Sequence, residues 1–429
     1  MNRPLSMLAA LLVVASTTAA LGAGGASATP LGGINIPGLR DNSRPSDADH
    51  VIAEAKRLHA RIVRTDLPWS VLEPTGPTLD PQALLYTDRL LADAKAAGIA
   101  VSATVASTPC WESSAPAALV AECRTGHGDG AESWQPKDPA SYGQVVGALA
   151  QRYGDELYAI EVWNEPDQAN EDYWAGPGKA AHYAQMLRAA YPAIKAAAPQ
   201  INVLAGSLVG SNGGFLKALY TAGVKGYYDG LSVHYYNLTL GSLRAIRETQ
   251  TANGDAKPLW LDEFGWTSCW PAHRVQQEQA CVTRATQAQN LRNSIREMSR
   301  VPYIAAEEVY KLQDSAGEDF GALSGSGAHK PSYAALSEAF QHPTGPFSRI
   351  TLSLRRHGSR VTASGSGPVG DFMQMEVFVG GKLRFRALFI QDRFNRYSLA
   401  LPSVLGTRAL RARVYQYWTG PSLAATASL

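Results

Sequence analysis

The chain has 429 residues, 45% of them hydrophobic and 18% charged, with a formal net charge of +2. That length is enough for a large core plus a smaller module. A charge so near zero argues against nucleic-acid binding by the molecule as a whole, and the composition does not place the chain among disordered proteins.

The first 28 residues read as a secretory signal: Arg3, an apolar run from Leu8 to Ala20, and a small-residue cleavage site, Ala26-Ser27-Ala28. A membrane anchor is the rival reading, but the run is short and interrupted by Ser16, Thr17 and Thr18. No later stretch is apolar for long enough to span a bilayer. The expectation is a secreted protein, extracellular or cell-wall associated.

Residues 29–343 alternate strand-like and helical runs. The strand-like ones are "GGINIPG", "ARIVRTDLPW", "AVSATVAST", "LYAIEVWNEP", "INVLAGSLVG", "GLSVHYYN", "PLWLDEFGW" and "YIAAEEVYKLQD". Between them, "QALLYTDRLLADAKAAG" and its like carry apolar residues at helical spacing, with Leu84, Leu90, Leu91 and Ala94 able to share one face. Eight such alternations predict a TIM (β/α)8 barrel. The open doubly wound sheet is the alternative, but no glycine-rich phosphate turn follows the first strand.

After Pro343 the helical period disappears. "RITLSLRR", "FMQMEVFVGGKLRFRALF", "YSLALP" and "RALRARVYQYW" alternate as β runs, and Gly380-Gly381 marks a hairpin. A small all-β sandwich is expected over 346–429. It holds twelve Lys and Arg against three acids, +9, which leaves −7 for residues 1–345. That asymmetry suggests an accessory module able to hold an anionic cell-wall polymer; a merely soluble sandwich with a basic face is the plain alternative.

The four cysteines, Cys110, Cys123, Cys269 and Cys281, suit an oxidising compartment. Of three possible pairings the simplest is two local loops, Cys110 with Cys123 and Cys269 with Cys281. Metal binding is the competing reading, but neither pair has the two-residue spacing of a zinc ribbon. No nucleotide, zinc or calcium motif stands out, so no metal or cofactor is expected.

A TIM barrel builds its active site at the C-terminal ends of its strands. The fourth predicted strand ends in Asn164-Glu165 and the seventh in Glu263. Two carboxylates facing one another across a barrel mouth are what glycoside hydrolysis requires, one to protonate the departing oxygen and one to attack or to activate water. Either glutamate alone would as readily cap a helix or pair with a base. His234 and Tyr236, two apart on one strand, share a face, as do Arg64 and Asp66. Arg64 is expected to lower the pKa of Glu263 and hold it ionised. Trp69, Trp111, Trp266 and Trp270 follow strand ends and are candidate stacking platforms, Trp69 and Trp266 foremost.

"WNEP" after an apolar strand and the later "DEFGW" resemble the retaining glycoside hydrolases of clan A. "VRTDLPWSVLEPTG" and "HKPSYAAL" are similar to family 39, which includes β-xylosidases, α-L-iduronidases and bacterial exopolysaccharide hydrolases. The resemblance covers the barrel and not the tail. It implies Glu165 as acid/base, Glu263 as nucleophile and Asn164 as the amide that binds the sugar 2-hydroxyl. It also implies that His234 and Tyr236 orient the acid and touch the nucleophile. The substrate it implies is a carbohydrate, here a polysaccharide cut internally, with an exo-acting xylosidase-like enzyme as the alternative and a non-catalytic carbohydrate-binding barrel as a lesser one. Many clan members end the eighth strand in Trp, whereas this chain has Val309-Tyr310-Lys311. Lys311 is expected to meet an acidic sugar or to pair with Glu307 or Glu308.

Overall fold

The computed structural model describes residues 29–40, 43–125, 130–168, 172–209, 213–236, 241–272, 275–276, 279–346, 348–368, 372–392, 394–416 and 424–429. The signal-peptide expectation falls on residues outside this set.

Eight parallel strands close into a barrel: Leu31–Asn35, Ile62–Asp66, Ala100–Val105, Ala159–Val162, Asn202–Leu208, Gly230–Tyr235, Leu259–Phe264 and Ile304–Val309. The first pairs with both the second and the eighth, so no edge is left open. Helices lie between successive strands. Their starts carry the expected signals, such as Asp80 accepting from the Gln82 amide ahead of Pro81–Ala97, which Gly98 then ends in a left-handed conformation. Among the described residues no helix is long and apolar enough to cross a membrane.

The barrel interior is layered. At its N-terminal end Ile62, Ala159, Leu204, Trp260 and Ala306 form a separate apolar plug. One layer higher the fully or nearly fully buried side chains are polar: Asn35, Arg64, Thr104, Glu161, Ser207, His234, Asp262 and Glu308. Two irregularities create this layer. Between the sixth and seventh strands the register passes from Ser232↔Trp260 to His234↔Glu263, and against the eighth from Glu307↔Leu261 to Val309↔Phe264. The seventh strand therefore carries one extra residue against both neighbours, a bulge that brings Asp262 and Glu263 in turn toward the same polar cluster. A second shift in the fifth strand falls where Gly206 and Ser207 have φ of 114° and 46°, and it puts the Ser207 hydroxyl inside.

The last part of the chain is all β. A three-stranded antiparallel sheet (Ser353–His357, Arg360–Ser366, Arg396–Ala400) and a four-stranded one (Lys382–Ile390, Phe372–Val379, Arg411–Gln416, Ala425–Ser428) enclose one apolar cluster. Leu354, Val361 and Ala363 come from one sheet and Met373, Met375, Val377 and Val414 from the other. The sandwich leans on the barrel helix Arg284–Met298 through polar contacts. Asn293 donates to the Pro368 carbonyl at 2.6 Å, and Asn395 to Asn290 at 2.6 Å. With its amide nitrogen turned toward Glu297, Gln416 donates to both carboxylate oxygens at 2.6 Å.

Both disulfides are present, Cys110–Cys123 and Cys269–Cys281. They tie the loops that follow the third and seventh strands.

Candidate active site

Arg64 is the centre of the polar layer. Its Nη1 donates to Glu263 Oε1 at 2.7 Å and to Asn35 Oδ1 at 3.0 Å, while Nη2 donates to Glu161 and to Asn164 Oδ1, each at 2.9 Å. Asp262 lies 3.4 Å from Nε, and Asp66, at the mouth, 3.9 Å from Nη1. A guanidinium is the suitable cation here because its planar donors can serve several acceptors at once. Below it Glu161 also accepts from Thr104 and Ser207. Burial works against ionising Glu161, but Arg64 and hydrogen bonds with Asp262, Ser207 and Ser232 outweigh it and hold the carboxyl well below the usual range. Asp262 goes the other way, pushed well up by burial and by the neighbouring Glu161 charge.

Glu263 has both oxygens engaged, Oε1 by Arg64 and Oε2 by the Tyr236 hydroxyl at 2.8 Å. Its pKa is raised, contrary to expectation: burial outweighs the pull of His234 and Arg64. Glu165 sits across from it, with Oε1 2.6 Å from His234 Nδ1 and Oε2 accepting from Gln168. Nδ1 is also 3.5 Å from Glu263 Oε2, so the imidazole bridges the two glutamates. Burial favours neutral His234, but Glu263, Asp262 and Glu165 outweigh it and raise the pKa to about 10. The chain enters this site under strain. Trp163 and Glu165 have φ of 73° and 48°, conformations that cost non-glycine residues about 1–3 kcal/mol each and tend to collect at functional sites.

One donor atom each from Glu165, His234 and Glu263 lies within 4.8 Å of the other two. That spacing would admit a cation, but Arg64 already supplies a positive charge against Glu263. Above the glutamates is a cavity of about 250 Å³ whose wall includes Asp66, Asn164, Tyr173, Tyr310 and Glu318. It shares Asp66, Pro68 and Ser107 with an open cleft of about 1180 Å³ that runs past Trp111 and the Cys110–Cys123 bridge.

The structure gathers Arg64, Asp66, Asn164, Glu165, His234, Tyr236 and Glu263 at one place. It does not place the two foremost tryptophans there as platforms. Trp69 is 0% and Trp266 3% exposed, both within the barrel's apolar core. Trp69 opens the short helix Trp69–Leu72, and both indoles pack into the apolar core instead of facing the mouth. Trp111, farther along its loop, is half-buried and faces the cleft. Lys311 pairs with Glu318 and donates to Ser315 at 2.6 Å. Neither anticipated partner reaches it, because Glu307 and Glu308 are buried on the eighth strand. Tyr173, Tyr310 and Glu318 line the cavity without having been singled out in the sequence. Tyr310 stands where the Trp was missing, donating to Glu318 at 3.0 Å and packing edge-on against Tyr236.

Residues 134–319, which include both glutamates, match the family model for the glycosyl hydrolase catalytic core. No curated protein matches the sequence. Among solved structures, a family 39 glycoside hydrolase from Bacteroides cellulosilyticus WH2 superposes with a TM-score of 0.55 at 17% identity, over 87% of this chain and 81% of that one. The family 39 enzyme of Xanthomonas axonopodis pv. citri gives 0.55 at 15% identity, over 88% and 93%. A family 39 β-xylosidase from Caulobacter crescentus gives 0.52 at 15%, over 88% and 97%. At these identities the structural likeness is one of fold. The matched core makes residues 134–319 similar to the catalytic core of glycosyl hydrolases, and the chain shares its fold with family 39 enzymes.

Proposed function

We propose that the protein is an exported retaining glycosidase that cleaves internal bonds of a polysaccharide. The observation that carries the retaining mechanism is the approach of Glu165 and Glu263, whose facing oxygens lie within 4.8 Å across His234. Retaining enzymes hold their carboxyl groups about 5–5.5 Å apart, whereas inverting ones leave about 6.5–9.5 Å for a water. Glu165 protonates the glycosidic oxygen as Glu263 attacks the anomeric carbon, forming a glycosyl ester and releasing the leaving-group alcohol. Water then attacks that carbon, Glu165 takes its proton, and Glu263 departs as carboxylate. Arg64 and the Tyr236 hydroxyl keep Glu263 aimed throughout. Asn164, its carbonyl oxygen held by Arg64, has its amide nitrogen left to donate to the 2-hydroxyl.

The open cleft leading from the cavity supports binding of a chain on either side of the scissile bond. An exo-acting β-glycosidase is the second reading, favoured by the small volume of the catalytic cavity itself and by the Caulobacter neighbour being a β-xylosidase.

The experiment is azide rescue with an activated aryl glycoside. Glu263→Ala should abolish turnover on every substrate, since no glycosyl ester forms. Glu165→Ala should fail most on poor leaving groups, and azide should rescue it with retained configuration. Azide should rescue Glu263→Ala as well, with inverted product; inverted product from Glu165→Ala and retained product from Glu263→Ala would exchange the two roles. Wild-type activity in both variants would end the glycosidase reading of this site.

A further inference from the structure

We infer that the open cleft beside the catalytic cavity is a subsite for an acidic sugar, stacked on Trp111 and held through its charge by Arg40 and Arg124, while the reacting sugar is neutral. The inference rests on the glycosidase reading and names the substrate class.

The indole of Trp111 is fixed before any ligand arrives. Its Nε1 donates to the Glu73 carbonyl at 2.7 Å, its ring meets Trp69 edge-on at 6.0 Å, and its own carbonyl accepts from Lys137 at 2.8 Å. The residue before it is tied to Cys123. An aromatic held in this way offers a face to the C–H side of a pyranose with little ordering cost on binding.

The charges around the two cavities differ in availability. At the catalytic cavity Arg64 is buried against Glu161, Asp262 and Glu263, and Lys311 is taken by Glu318. Asp66, Glu165, Glu263 and Glu318 all face the same space, so a carboxylate on the reacting sugar would meet like charge and no cation without a partner. Arg40 and Arg124 line the cleft, are exposed, and pair with no acid among the described residues. Glu132 and Asp66 line it too; Glu132 accepts from Ser70 at 3.1 Å, and Asp66 stands at the junction with the catalytic cavity. The acidic substituent therefore belongs in the cleft, where the two arginines stand, and not in the catalytic cavity. A polymer mixing neutral and acidic residues meets both requirements.

Binding to full-length Glu263→Ala, measured by calorimetry, tests this without turnover. The probes are short oligomers of neutral sugars carrying one galacturonate, mannuronate or glucuronate residue, each beside its wholly neutral counterpart of equal length. At least one acidic oligomer should bind about tenfold more tightly than its neutral partner at low salt. Adding Arg40→Ala and Arg124→Ala should remove that advantage and its salt dependence. Both arginines are exposed, so folding is not at stake, and wild-type protein carrying only the arginine changes should hydrolyse a small neutral aryl glycoside at an unchanged rate. Equal binding of every acidic and neutral pair, or an acidic preference that survives loss of both arginines, overturns the inference. A wild-type protein that hydrolyses nothing while keeping the arginine-dependent preference would refute the glycosidase reading and leave the acidic-sugar site standing.

Discussion

Arg64 reaches from the second strand to Glu263 on the seventh and donates at 2.7 Å, while the same guanidinium bonds Glu161 and Asn164 of the fourth-strand segment. One cation thus sets the position of the proposed nucleophile relative to the segment that carries the proposed acid. Replacing it leaves Glu161 buried without its counter-charge. Arg64→Met is expected to cost about 3–5 kcal/mol of stability and to abolish turnover. Arg64→Lys should recover part of the stability and little of the activity, because an ammonium cannot reproduce the fork. Thermal melts beside turnover assays separate the two. A stable Arg64→Met variant would show that the polar layer does not depend on this charge.

His234 gives a pH signature. Burial lowers its pKa, but Glu263, Asp262 and Glu165 outweigh burial and raise it to about 10, from an unfolded value near 6.5. The folded protein holds a proton that the unfolded chain releases, so the stabilisation is complete below pH 6.5 and disappears as the pH climbs through 10. His234→Gln should therefore cost about 3 kcal/mol at pH 6 and much less at pH 10. It also takes a positive charge from beside Glu263, whose pKa is already raised. The acid limb of kcat/KM should move to higher pH in the variant. A stability difference independent of pH would mean that His234 is neutral in the folded protein.

Trp69 separates packing from sugar contact. It is fully buried, its Nε1 donates to Glu73 Oε2 at 2.7 Å, and its ring meets Tyr142 edge-on at 5.6 Å. Trp69→Ala should destabilise by about 3–5 kcal/mol, while the folded fraction still hydrolyses a small aryl glycoside. Normal stability with lost activity would restore Trp69 as a platform.

The barrel was legible because its evidence is periodic, with apolar runs of strand length alternating with helical spacing. The two facing glutamates were legible because barrel topology says where strand ends must meet. The rest depended on geometry without a period. The extra residue in the seventh strand, which brings both Asp262 and Glu263 to Arg64, leaves no mark in "LWLDEFGW". An alternating strand would have sent one of the pair outward. Glu161, Asp262 and Glu308 read as ordinary strand polar residues until the interior layer is seen. Proximity to a strand end misled for Trp69 and Trp266, since both indoles pack into the apolar core and it is Trp111 that lines the open cleft.

The seam between barrel and sandwich decides what truncation does. The helix Arg284–Met298 turns Asn290, Asn293, Arg296 and Glu297 toward the last part of the chain, where they meet Asn395, Pro368, the Pro346 carbonyl and Gln416. Ending the chain before Pro346 exposes a polar surface that water can satisfy. The truncated barrel should therefore stay soluble, lose about 2–6 kcal/mol for these four contacts at 0.5–1.5 kcal/mol each, and keep its activity on a small substrate. Binding to an anionic polymer is expected to weaken, because the sandwich carries a +9 balance with Arg355, Arg356, Arg360, Lys382 and Arg384 exposed. The difference between full-length and truncated protein should shrink as salt is raised. Binding that survives truncation should then fall on adding Arg40→Ala and Arg124→Ala. Polymer affinity unchanged by truncation at low salt would show that the sandwich is no anchor, and an insoluble barrel would show that the seam buries more apolar surface than its hydrogen bonds suggest.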